Sequence, residues 1–221
     1  MKKFLNTLYI TTQGAYLNHE GESVLVNIEH EVRLRVPIHL LESIICFGRV
    51  SMSPPLLGLC GQRGVHVSFL SENNHFLARV QGSISGNVLL RRQHYRIADN
   101  PQRAAMIARA CLAGKIANSR VTLQRALRDH PEIPGSPEIE RAITRLSGIL
   151  HELENTESVD ALRGKEGEAA KRYFDVFDHL ILQQKSDFYF QDRNRRPPTD
   201  NVNAILSFLY TLLTHDAESA L

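Results

Sequence analysis

Along the first 90 residues the apolar positions come in short, partly alternating runs broken by turn residues, the pattern of β-strands. Leu8-Tyr9-Ile10, Tyr16-Leu17, Ser23 to Asn27 and Val32 to Val36 read as strands, with turns at Gly14 and at His19-Glu20-Gly21-Glu22. Pro37 ends the last of these runs, and Ile38 to Leu41 suits one helical turn. Ser43 to Phe47 reads as a buried strand. Ser53 followed by Pro54-Pro55 marks the cap and first turn of a short helix through Cys60. Val65 to Leu70 is strand-like again, and Glu72-Asn73-Asn74-His75 turns the chain into Phe76 to Val80.

The apolar period lengthens near residue 100. Asn100-Pro101 is a helix cap followed by a first-turn proline, and Ala108, Leu112, Ile116, Ser119, Leu123 and Leu127 form one stripe of a long helix. Arg103, Arg125 and Arg128 fall on its opposite face. Asp129 to Gly135 breaks the pattern, and Ser136-Pro137 opens a second helix with Ile139, Ile143, Leu146, Leu150 and Leu153 as its stripe. After a polar, exposed Glu152 to Ser158, a third helix is predicted from about Lys165 to Gln184. Asn194 to Asp200 is a basic, proline-stiffened loop, and the helix from about Asn201 is apolar nearly all round, which predicts burial on several sides. The fold class is therefore α+β: a β-sheet domain over residues 1–90 followed by an α-helical domain over 91–221.

Composition changes this picture little. The chain has 221 residues, 43% hydrophobic and 23% charged, with a formal net charge of +2, as expected of a soluble globular protein. Cys46, Cys60 and Cys111 have no metal-like spacing and suit a reducing cytoplasm. Met1 to Leu5 imitates the start of a secretion signal, but Asn6, Thr7, Thr11, Thr12 and Gln13 break the apolar run that would follow. The most apolar segment, Val202 to Leu213, is too short to span a membrane.

The distribution of charge says more than its sum. Residues 91–128 hold nine Lys or Arg (Arg91, Arg92, Arg96, Arg103, Arg109, Lys115, Arg120, Arg125, Arg128) against Asp99 alone, and residues 129–170 hold ten acids against four bases. The first segment is a footprint for polyanion binding, or a solvated helix that pairs with the acidic stretch after it.

One carboxylate stands out. In Arg163-Gly164-Lys165-Glu166-Gly167-Glu168-Ala169-Ala170-Lys171-Arg172-Tyr173-Phe174, helical spacing puts Glu166 on one face with Ala170, Tyr173, Phe177 and Ile181, while Glu168, Lys171 and Arg172 point to water. A charge on a packing face needs a partner: a metal cation, a buried Arg or Lys, or a proton. The plainer alternative is a first-turn glutamate that favours the positive helix end and stays wet.

Taken in order, Glu166-Gly167, Ala169-Ala170, Tyr173-Phe174, then Arg193-Asn194-Arg195-Arg196-Pro197-Pro198, then Asn203 to Tyr210, resemble the CRISPR-associated endonuclease and integrase of spacer acquisition. Val36-Pro37-Ile38, Ile44 to Gly48, Gly64 to Leu70 and Leu89-Leu90-Arg91-Arg92-Gln93 resemble its β-domain segments, with the flavour of the subtype I-C branch. The resemblance implies a β-domain that forms homodimers, a helical catalytic domain, DNA as substrate, a small CRISPR-associated adaptation partner protein, and a Mg2+ or Mn2+ ion held by a Glu, a His and an Asp. The Glu carries over to Glu166, as catalytic residue and metal ligand, and the hard oxygen suits either ion. The His and Asp do not carry over: His215-Asp216 lies in or just past the last helix without the family's glycine turn, and reads as helix end. By this resemblance roughly the last third of the family's length is lacking, so the 221-residue form is expected to be inactive; the competing expectation is a non-catalytic nucleic-acid-binding or scaffolding protein. Arg163, Arg172, Arg193, Arg195 and Arg196 are candidate phosphate contacts near the metal, with Arg91 and Arg92 at the domain junction. A further expectation is an exposed apolar patch along Val202 to Leu213 in this form.

Overall fold

The computed structural model describes residues 6–82, 86–195 and 197–220. It has a strand-rich N-terminal region followed by helices, the α+β class that the periodicity predicts. The chain divides into two compact units, one of Met1–Gly86 with Phe208–Leu221, the other of Asn87–Ser207.

The first unit holds two four-stranded sheets. One has the order β1 (Thr7–Ile10), β5 (Ser43–Phe47), β7 (His66–Leu70), β8 (Phe76–Val80), with the first three parallel and β8 antiparallel. The other has the order β4 (Glu31–Pro37), β3 (Ser23–Ile28), β2 (Tyr16–Glu20), β6 (Ser51–Met52). Helix α1 (Pro54–Arg63) packs with them: Ser53 caps it by accepting from the Leu56 amide at 3.3 Å, and Gly64 closes it at φ +69°, a conformation open to glycine. Leu17, Val24 and Val26 from one sheet meet Ile10, Ile44, Cys46 and Val67 from the other, with Leu56 and Cys60 of α1 completing the core. Burial pushes the Cys46 thiol up to about 12 and the Cys60 thiol up to about 11, so both stay protonated, inert packing groups.

Alternation explains why β5 is buried along its whole length. Ile44 and Cys46 face this core, whereas Ile45 and Phe47 face the other way, against Leu70, Phe208 and Leu212. The two last residues come from α6 (Asn201–Ala220), a helix that begins in the second unit and ends in the first. The expectation that this helix is buried on several sides is not met. Ile205, Leu209 and Leu213, at intervals of one turn, are exposed with Tyr210, which agrees with the separate expectation of an apolar patch.

The second unit is helical: α2 (Val88–Ala98), α3 (Pro101–Asp129), α4 (Ser136–Leu153) and α5 (Val159–Phe174). Asn100 caps α3 as the sequence implies, accepting from the Arg103 amide at 2.9 Å. Leu112, Ile116 and Leu123 of α3 pack with Ile139, Leu146 and Leu153 of α4, as the two stripes predict, and Ala142 and Ile149 join them. Helix α2 holds the Leu89–Gln93 segment that the resemblance placed with the β-domain; it buries none of its residues, and its apolar Val88, Leu89, Leu90 and Tyr95 are exposed.

The third predicted helix is corrected at both ends. It begins at Val159, because the Ser158 hydroxyl accepts from the Ala161 amide at 3.1 Å and caps it. It stops at Phe174, because a 3-10 turn at Phe177–Leu180 folds Phe177 back among Tyr173, Phe174 and Phe190, with ring centroids 5.0–5.7 Å apart. The Asp178 carboxylate holds that turn by accepting from the Phe190 amide at 2.8 Å and from Lys185 at 2.6 Å.

Candidate functional site

Moving the start of α5 to Val159 places Glu166 about two turns into the helix, which removes the first-turn reading. The interior reading is corrected as well. At about 100° per residue, the buried Leu162 and Ala169 centre the packing stripe, and Glu166 lies at its edge. Its side chain is 46% exposed, and Oε1 accepts from Nζ of Lys115 on α3 at 2.5 Å. The partner required by the packing-face argument is therefore a lysine, itself 53% exposed.

The other edge of the stripe is held differently. Glu168, expected to point to water, is 32% exposed and accepts from Nε of Arg145 on α4 at 2.6 Å. Nη1 of the same Arg145 reaches Glu152 at 2.6 Å, and Lys165 also pairs with Glu152. The Arg145 guanidinium, then the Lys165 ammonium, pull the Glu152 carboxyl down to about 2, and Arg145 also lowers that of Glu168 while its own guanidinium is held more firmly protonated. One edge of α5 is thus laced to α4 by four charges, and the other is tied to α3 by a single pair.

The helix angles sort the arginines. Arg163 lies about 60° from Glu166 on its solvent side, whereas Arg172 lies about 120° away, toward the α4 edge. Arg163 is exposed and pairs with Asp160 at 3.0 Å, and Arg172 is exposed. Gly167, also on the solvent side of Glu166, would direct a Cβ into open space with no heavy atom within 4 Å. Arg91 and Arg92 are exposed on α2.

Arg193 is turned inward. Its Nη1 donates to Oδ1 of Asn203 at 2.8 Å, and both Nη atoms lie 3.4 Å from Oγ of Ser207. Asn203 is fully buried; its Nδ2 donates to the Asp192 carbonyl at 2.8 Å and to Asp200 at 2.7 Å. Burial alone would raise the Asp200 carboxyl, but the bonds from Asn203 leave it lowered. These contacts fold the loop before α6 back on the first turn of that helix. Arg195 is exposed on the same loop, and Arg196 lies outside the described residues. Asn203 escaped the sequence reading as a clamp; the signal was present in Asp200-x-x-Asn203 at a helix start.

His215 lies within α6, buried, with its ring 5.3 Å from that of Phe76 and Nδ1 3.5 Å from Nη2 of Arg79, a cationic neighbour unsuited to a metal ligand. Among the described residues no group of three His, Cys, Asp or Glu side chains can hold a metal ion. The residues present therefore do not make up the three-ligand site that the resemblance implies.

The sequence model of the CRISPR associated protein Cas1 family matches residues 8–221. A CRISPR-associated endonuclease Cas1 of Chlorobaculum tepidum is 52% identical over 221 residues, covering all of this chain and 64% of the relative. The chain belongs to the Cas1 family, and it spans just under two thirds of the length of that relative. Among solved structures, a casposase bound to integration product superposes with a TM-score of 0.75 at 19% identity, over 98% of this chain and 61% of that one. The Cas6-RT-Cas1–Cas2 complex gives a TM-score of 0.74 at 19% identity, over 99% of this chain and 23% of that one. At such identities the likeness is one of fold. No helix among the described residues is long and apolar enough to cross a membrane.

Proposed function

We propose that this sequence serves CRISPR adaptation as part of a DNA endonuclease and integrase that inserts new spacers into the array. The observation that carries the reading is the family match over residues 8–221 together with 52% identity to a relative named as an endonuclease. Glu166 is the proposed catalytic carboxylate, one ligand of a Mg2+ or Mn2+ ion. Such an ion, when bound, polarises a phosphoryl group and lowers the pKa of the attacking oxygen. The residues described here supply that one ligand and no complete set, so cutting and joining are proposed for a form as long as the relatives.

For the 221-residue chain the second reading, a non-catalytic nucleic-acid-binding protein, is favoured by the occupation of Glu166 by Lys115. In both readings the chain's own part is to hold phosphates. Arg163 beside Glu166, Arg195 on the clamped loop, and Arg91 and Arg92 on α2 are exposed, and contacts of this kind position a duplex without reading its sequence. Arg172 and Arg193 remain candidates of lower rank, the first turned toward α4, the second engaged with Asn203. A homodimer through the strand-rich unit is proposed on the exposed edge strand β4, which offers Val32 and Leu34. A Cas2-type partner is proposed by analogy with the Cas1–Cas2 complex of similar fold, and a cytoplasmic site on the unbridged cysteines.

The test is a branched DNA substrate with Mn2+, given to the 221-residue chain and to a form as long as the relatives. The expected result is binding by both and cutting or joining by the longer one. Robust cutting by the short chain that disappears in Glu166→Ala would show that it supplies the other ligands itself. An inactive longer form would remove the catalytic reading.

A further inference from the structure

We infer that Lys115 is a phosphate-binding residue of the nucleic-acid face, held at its place by Glu166. The inference rests on the DNA-binding reading above and adds to it a residue that neither the spacing nor the resemblance singled out. Three observations on α3 and α5 carry it.

The first is the character of the ion pair. With its two side chains 53% and 46% exposed, it sits where water screens it, and such pairs contribute little to stability. It is too weak to explain α5, which the buried Leu162 and Ala169 and the Arg145 network already fix on its other edge. The second is capacity. An ammonium has three N–H donors, and one is directed to Oε1 of Glu166. The group is more than half exposed, so a phosphate oxygen can approach it from the solvent side without breaking the pair.

The third is what borders it. On the solvent side of Glu166, Arg163 projects with only an exposed, exchangeable partner in Asp160, and the helix surface at Gly167 is bare. A phosphate backbone approaching there meets no side chain at Gly167 and two cations, Lys115 and Arg163, set on either helix. Glu166 plays two opposed parts: it fixes the position of the ammonium, and its negative charge repels the incoming phosphate. Removing each partner should therefore move DNA affinity in opposite directions, which a purely structural pair would not do.

The experiment measures binding of a fluorescein-labelled branched DNA to the 221-residue chain in EDTA across a salt series, with melting curves on the same samples. Lys115→Ala should weaken binding about 3- to 10-fold near 0.1 M salt and reduce the slope of log K against log salt by about 0.9, one phosphate contact. Lys115→Arg should retain most of the affinity, and Glu166→Gln should strengthen binding, all with the melting temperature nearly unchanged. Wild-type binding with an unaltered Lys115→Ala overturns this inference and leaves the DNA-binding reading standing. So does weakening by both Lys115→Ala and Glu166→Gln in step with a lower melting temperature. A wild-type chain that fails to bind DNA, or binds without salt dependence, removes the reading beneath it and this inference together.

Discussion

Strand β5 of the first unit and helix α5 of the second are held by opposite means. Every residue of β5 is buried, between Ile10, Val24 and Leu56 on one side and Phe208 and Leu212 on the other. Helix α5 buries only Leu162 and Ala169, and its two edges are secured by charges on α3 and α4. Apolar burial acts through area and tolerates no gap, whereas charge pairs in water contribute little each and can exchange partners. Glu166, the proposed catalytic carboxylate, stands on the second kind of element.

The largest expected effect is on the first kind. Ile44→Ala in β5 leaves a cavity in a closed core and should cost about 2–5 kcal/mol, read by denaturant unfolding followed by circular dichroism. A loss below about 1 kcal/mol would remove the contrast. Next is Asn203→Ala, which leaves buried bonds to Asp192, Asp200 and Arg193 unmade in the second unit and should cost about 1–3 kcal/mol in the same assay.

The charged seam between α4 and α5 should reveal itself in acid. The Glu152 carboxyl is held at about 2 against an ordinary 4.5, so the folded state binds that proton less readily than the unfolded chain. Its contribution is complete above about pH 4.5, and is lost as the pH falls through the interval toward 2. Glu152→Gln should flatten the acid limb of the stability profile over that interval, with little change near pH 7 in its slope. An unaltered acid limb would mean that the seam carries no weight. The smallest effect is expected for Lys115→Ala, within about 1 kcal/mol of wild type in denaturant unfolding; a larger loss would make that pair structural.

These contrasts also explain what the sequence disclosed. In the strand-rich region apolar runs, alternation and turn residues locate β1 to β5, β7, β8 and α1, although His19 and Glu20, expected in a turn, end β2. The two-residue β6 left no period to read, and α2 has no buried face. On α5 the spacing puts Glu166 on the packing face, whereas the structure sets it at the edge of that face, half-exposed and paired with Lys115. Without the Ser158 cap the spacing starts the helix too late, and nothing in it reveals that Lys115, 51 residues earlier, lies opposite Glu166. For the same reason the spacing sends Glu168 to water, whereas Arg145 on another helix pairs with it. Partners brought in by tertiary packing are invisible to local periodicity. The exposed row Ile205, Leu209 and Leu213 has a related origin: apolarity marks what needs covering, not what covers it.

Glu166 is proposed to be kept for DNA chemistry and not for folding. The most direct test is joining of branched DNA in Mn2+ by a form as long as the relatives, wild type against Glu166→Ala, with unfolding curves taken in parallel. The account predicts that joining is lost while stability stays within about 1 kcal/mol. Undiminished joining by the Glu166→Ala protein would contradict it.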